Sequence, residues 1–137
     1  MRIAFGTDER TPLTDAIVTA LENEGHEVIV RLEDEPWPDV GRRVAEAVAD
    51  QRADRGVVCC WTGTGVSIAA NKVPGVRAAL CTDVETARGA RRWNDANVLA
   101  LGLRLTSEPV AKEMLDAFLS TDPDPGEDAL IAQVDHQ

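Results

Sequence analysis

The chain has 137 residues, 24 acidic against 14 basic side chains, a formal net charge of −10 and 44% hydrophobic residues, a size and balance that suit one domain with one core. An acid-rich chain without clustered Lys and Arg argues against nucleic acid as a partner, and no apolar run reaches the ~18 residues of a membrane span. Three cysteines, two of them adjacent, and two histidines make neither a disulfide framework nor a spaced zinc set, so no metal is expected.

Residues 2–6 form an apolar run that reads as a buried strand, with no leader peptide ahead of it, and the expected location is cytoplasmic. A polar turn, Thr7-Asp8-Glu9-Arg10, follows. Thr11-Pro12 has the form of a helix start, because proline in the first turn loses no needed hydrogen bond. Leu13, Ile17, Val18 and Leu21 then share one face, and Gly25 stops the helix. Residues 26–32 read as a second strand, and the acidic, proline-broken stretch 33–39 as a solvated connecting loop, with the alternative that Trp37 folds over a site as a wall. Val40, Val44, Ala47 and Val48 recur at helical spacing, giving a helix to about residue 51.

The third strand, residues 56–60, runs into Cys60-Trp61-Thr62-Gly63-Thr64-Gly65 and then into an alanine-rich helix closed by Pro74-Gly75. Residues 76–81 read as a fourth strand, and Asp83 as the cap of a helix that carries Arg88, Arg91 and Arg92, a trio expected on a solvated or intersubunit face. Residues 98–102 form a fifth strand with Arg104 just beyond it. Ser107 caps a last long helix whose inner face is Val110, Met114 and Phe118. Residues 1–120 thus read as a single domain, and 121–137 as a tail or short helix at a subunit interface. Five alternations of strand and helix predict a three-layer α/β/α sandwich, Rossmann-like, around a five-stranded parallel sheet.

In such sheets ligands sit beyond the carboxyl ends of the strands. Asp8, the Cys60 loop, Asp83 and Arg104 all fall there. Backbone N–H groups at a helix start lack intrahelical partners and favour negative charge, while a thiol beside them tends toward the thiolate. A base next to an anion hole suits chemistry on a carbonyl whose oxygen becomes negative. The plainer alternative is that the cysteines are core residues and the glycines only a turn. Asp8 can bind a hydroxyl or simply cap the first helix. Trp61 and Trp93 are expected to flank the rim as a substrate wall or an oligomer contact.

Three stretches carry a resemblance: Arg2-Ile3-Ala4-Phe5-Gly6-Thr7-Asp8, the run from Cys60 to Lys72, and Asn94-Asp95-Ala96-Asn97-Val98-Leu99-Ala100-Leu101-Gly102. They resemble the type B ribose 5-phosphate isomerases and their galactose 6-phosphate isomerase relatives, in register over about residues 2–120. The resemblance implies a homodimer or tetramer with sites between subunits, no cofactor, and a small sugar or sugar phosphate as substrate. It further implies that Cys60 is the base of an enediolate proton transfer and that Thr62 passes a proton between oxygens. The amides of Gly63, Thr64 and Gly65 would hold the charge. Another branch uses a glutamate where this chain has Val66, which leaves Cys60 as the only base of the motif.

The departures are as informative. Where the family has Asp-His this chain has Asp8-Glu9, and where it has His-Asn this chain has Trp93-Asn94. Those histidines are associated with gripping phosphate and opening the furanose ring, and an indole cannot shuttle a proton. The family's C-terminal arginines have no match after residue 123, whereas Arg104 matches a phosphate contact and Arg10 offers a substitute charge. The expectation is therefore an aldose–ketose isomerase for an open-chain sugar or sugar phosphate. The alternatives are a slow ribose 5-phosphate isomerase and a non-catalytic homologue or partner subunit that binds a sugar phosphate.

Overall fold

The computed structural model describes residues 1–137. Its elements, in chain order, are β1 (Arg2–Thr7), α1 (Pro12–Asn23), β2 (Glu27–Leu32), α2 (Trp37–Ala49), β3 (Arg55–Cys60), α3 (Thr64–Asn71), β4 (Ala78–Leu80), α4 (Val84–Asn94), β5 (Val98–Gly102), α5 (Glu108–Ser120), a single 3₁₀ turn (Pro125–Glu127) and α6 (Asp128–Asp135). The strands make one parallel sheet in the order β2-β1-β3-β5-β4.

Successive strand residues point to opposite faces, and the core divides accordingly. Ile3, Phe5, Val57, Cys59, Leu99 and Leu101 pack beneath α1, α4 and α5, against residues such as Ile17, Leu21, Ala90, Met114 and Phe118. Ala4, Val58, Cys60, Val98 and Ala100 pack beneath α2 and α3, against Val40, Val44, Val48, Val66 and Ala70. The three expected layers are present. On the second face α2 lies very close to α3: a Cβ at Gly41 would stand 2.6 Å from Ala69 Cβ and 2.8 Å from the Val66 carbonyl, so only glycine fits the crossing.

The sequence-marked caps form. Thr11 Oγ1 accepts from Thr14 N–H at 3.2 Å, and the Thr14 hydroxyl accepts from Thr11 N–H at 2.8 Å. Asp83 accepts from Thr86 N–H at 2.7 Å, and Ser107 from Val110 N–H at 3.3 Å. Two boundaries differ from expectation. Helix α2 starts at Trp37 rather than Val40, because Pro38 falls in its first turn, where a missing N–H costs nothing. Strand β4 is three residues long, since this edge strand pairs only with β5 and Arg77 N–H is taken by the Asn97 side chain at 2.8 Å.

Arg91 also departs from expectation. It is 1% exposed, not on a solvated face. Its guanidinium donates to Asp95 Oδ1 and to the Ala96 carbonyl at 2.6 Å each and to the Thr121 carbonyl at 3.1 Å, and it lies 5.8 Å from the Phe118 ring centroid. A buried charge survives only when so matched. Through it α4 is tied to the end of α5.

Candidate active site

The strand order changes direction between β1 and β3, and there the following helices leave on opposite faces: α1 on one, α3 on the other. That divergence opens a crevice beyond the carboxyl ends, the usual ligand position in open α/β sheets. Strands β1, β3 and β5 are adjacent, so the segments carrying Asp8, Cys60 and Arg104 emerge side by side.

Cys60 is the last residue of β3, with its side chain on the α2–α3 side of the sheet and 5% exposed. Its carbonyl accepts from Leu103 N–H and the Trp61 carbonyl from Arg104 N–H, both at 2.9 Å, so the loop after β3 is fastened to the loop after β5. Cys59 points the other way and is fully buried; burial pushes its thiol far above the ordinary range. Cys81, beyond β4, is buried too, and burial together with Asp83 pushes its thiol up to about 11. Neither is an ionised thiol near neutral pH.

After Cys60 the chain turns sharply at Gly63, whose φ is +79°. A Cβ there would stand 2.5 Å from Leu80 Cδ1 and 2.9 Å from backbone atoms of Leu101 and Gly102, so glycine is required twice over. The first bond into α3 runs from Ser67 N–H to the Gly63 carbonyl at 3.2 Å, and the amides of Gly63, Thr64 and Gly65 stand ahead of it. They sit at the positive end of the helix dipole. The Thr62 and Thr64 hydroxyls are hydrogen-bonded at 2.7 Å, which holds Thr62 Oγ1 over this amide turn. The Trp37 indole packs on Gly65 so closely that a Cβ would meet its ring at 2.9 Å. Trp37 therefore walls the turn from the first residue of a helix rather than from a loop.

Asp8 follows β1, its N–H bound to the Cys59 carbonyl at 3.2 Å, which makes it the strand neighbour of Cys60. Thr11 caps α1, so Asp8 is not needed there. Its Oδ1 is buried and has no hydrogen-bond partner. Burial, and then the charge of Glu9, raises its pKa above the ordinary carboxylate value. Glu9 itself is exposed, and its N–H and carbonyl are both tied to the Thr7 hydroxyl. Arg104 is exposed and its guanidinium stands outside every ion pair. Arg10 is different: its exposed guanidinium is paired with Asp15 at 2.9 Å and Glu33 at 3.6 Å.

Trp93 and Asn94 do not join this group within one chain. They end α4, which runs back from the carboxyl edge of the sheet to the amino edge and rises about 16 Å over its eleven residues. The expected place at the rim is thus corrected: both line a cavity of about 690 Å³ at the opposite edge, with Lys72, Arg77, Leu130 and Val134. Trp61 does remain at the rim and is 55% exposed. The signal that separates the two tryptophans was in the sequence: Trp61 follows a strand, whereas Trp93 ends a helix between two parallel strands, and such a helix stops at the amino edge of the sheet.

The fold is an α/β parallel sheet with a thiol, a hydroxyl and an amide turn at its switch point, an arrangement suited to moving protons beside a carbonyl. Residues 3–134 match the ribose/galactose isomerase family, and the chain belongs to that family. It is 42% identical over 123 residues to ribose-5-phosphate isomerase B of Escherichia coli, covering 86% of this chain and 83% of that protein. It is 44% identical over 86 residues to D-erythrulose-4-phosphate isomerase of Pectobacterium atrosepticum, covering 63% of this chain and 57% of that protein. Among solved structures, ribose-5-phosphate isomerase B of Clostridium thermocellum superposes with a TM-score of 0.92 at 39% identity, over 99% of this chain and 96% of that one. No helix of the chain is long and apolar enough to cross a membrane.

Proposed function

We propose that the protein is an aldose–ketose isomerase for open-chain sugar phosphates, working in the cytoplasm as a homodimer or larger homo-oligomer. Relatives named as sugar phosphate isomerases favour catalysis over a purely binding role. The observation that carries the site assignment is the juxtaposition, at one switch point, of the Cys60 strand end, the Thr62 hydroxyl and the unpartnered amides of Gly63 to Gly65.

In the aldose-to-ketose direction Cys60 takes the proton from C2, and the electron pair moves into the C1 carbonyl, giving an enediolate with its charge on O1. The amide turn stabilises that oxygen, in the manner of an oxyanion hole. Thr62 relays the O2 proton to O1, and the Cys60 thiol returns its proton to C1. The atoms balance without cofactor or metal. Asp8 receives a substrate hydroxyl on its unpartnered Oδ1, and Arg104 meets the phosphate. Trp93 and Asn94, at the far edge of the sheet, serve the site of a second copy.

The substrate class follows from Trp93. An indole cannot act as a ring-opening acid. A four-carbon sugar phosphorylated on O4 has no free hydroxyl with which to close a five- or six-membered ring, so it needs none, and one relative is named for such a substrate. The test is deuterium exchange followed by NMR at the carbon beside the carbonyl, on tetroses, pentoses and hexoses with and without phosphate. Exchange strongest on the tetrose phosphate, and reduced ~10²-fold or more in Cys60→Ser, is the expected result. Silence across the panel would sink the isomerase reading, and a preference for ribose 5-phosphate would sink the open-chain one.

A further inference from the structure

Helix α4 has a glycine, Gly89, in the middle of its eleven residues, where glycine weakens a helix relative to alanine. The side chain one turn on explains it. A Cβ at Gly89 would stand 2.7 Å from Trp93 Cζ3 and 2.9 Å from its Cε3, so the six-membered ring of the indole sits directly over bare backbone. Gly89 is buried, while Trp93 keeps 55% of its surface exposed and lines the cavity at the amino edge. The ring thus meets α4 at Gly89 and is otherwise open toward the cavity.

We propose that Gly89 is the positioning residue for the Trp93 indole, seating the ring along α4 as the wall that a sugar phosphate meets in the site of a second copy. The proposal rests on the isomerase reading above and deepens it: the seat, and not the indole alone, sets how much room the substrate has. Alanine at 89 tips the ring toward the cavity. Because Trp93 is half exposed, the displaced ring has solvent to enter, so the substitution costs stability without unfolding the helix.

A double-mutant cycle decides it. Gly89→Ala, Trp93→Ala and the double variant are compared with the intact protein, using D-erythrose 4-phosphate and ribose 5-phosphate as probes. The expected result is a rise of about threefold or more in KM for the tetrose phosphate in Gly89→Ala with kcat held within about twofold, the pattern of lost uniform binding. In the Trp93→Ala background the same substitution changes KM no further. Melting supplies an independent readout: Gly89→Ala lowers Tm in the intact protein and raises it once the ring is gone, because only helix propensity then remains. Additive melting shifts overturn the seat whatever the kinetics, and KM unmoved in an active Gly89→Ala enzyme overturns the substrate wall. A wild-type protein inactive on both sugar phosphates, with the melting cycle intact, brings down the isomerase reading and leaves the seat standing.

Discussion

Asp8 is the residue whose placement costs the fold most plainly: a carboxyl oxygen buried beside a strand end with nothing to bond. Its pKa is raised in the folded protein by burial first and by Glu9 second, so the native state holds that proton more tightly than the unfolded chain does. By linkage, stability then falls as pH rises from the unfolded carboxylate value through the raised folded one, and stays lower above it. Asp8→Asn removes the ionised form. Urea denaturation should find the variant more stable than the parent near pH 7, with the difference shrinking as pH drops below the ordinary aspartate range, and turnover of the sugar phosphate should fall. A variant no more stable at neutral pH would mean that the orphaned oxygen is solvated after all. Thiol chemistry separates the cysteines in the same spirit. Iodoacetamide near neutral pH should label Cys60 well ahead of Cys59 and Cys81, both held protonated by burial, and prior substrate should protect it. Labelling at Cys81 first would remove Cys60 from the base role.

Among the elements, the turn between β3 and α3 bears the tightest constraint. Gly63 combines a positive φ with a Cβ position already filled by Leu80 and by the β5 backbone. Gly63→Ala should cost at least about 2 kcal/mol in urea denaturation, from backbone strain and overpacking together, and should abolish exchange by moving the amides. A loss under half that size would mean that the loop relaxes freely. Much of this element could be read directly from residues: an apolar run into Cys60, two glycines one residue apart, then a helix-forming stretch. Helix caps at Thr11, Asp83 and Ser107 were equally legible, because a side chain that accepts from the N–H two or three residues on is a local event. Less legible was the start of α2. Pro36-Trp37-Pro38 has the composition of a breaker, yet in the first helical turn a proline breaks nothing, and composition alone cannot distinguish the two.

Over the whole molecule, the candidate site splits between two edges of the sheet, and the split predicts oligomer behaviour. If Cys60 of one copy works with Asn94 of another, Cys60→Ser and Asn94→Ala should each be inactive alone. Mixed and re-equilibrated, they should regain about a quarter of wild-type activity, since half of the dimers are then hybrids with one intact site. No recovery on mixing would mean that a single chain holds everything it needs. The alternation of strands and helices, the caps, the motif at Cys60 and the departures at Glu9 and Trp93 lie open in the residues, because periodicity, turn chemistry and residue identity are properties of neighbours along the chain. The strand order, the burial of Arg91, the ion pairs that occupy Arg10, the orphaned oxygen of Asp8 and the seat of Trp93 on Gly89 belong to the tertiary structure alone. Each depends on which distant segments the sheet sets side by side and on what space is left between them, and no local pattern encodes either.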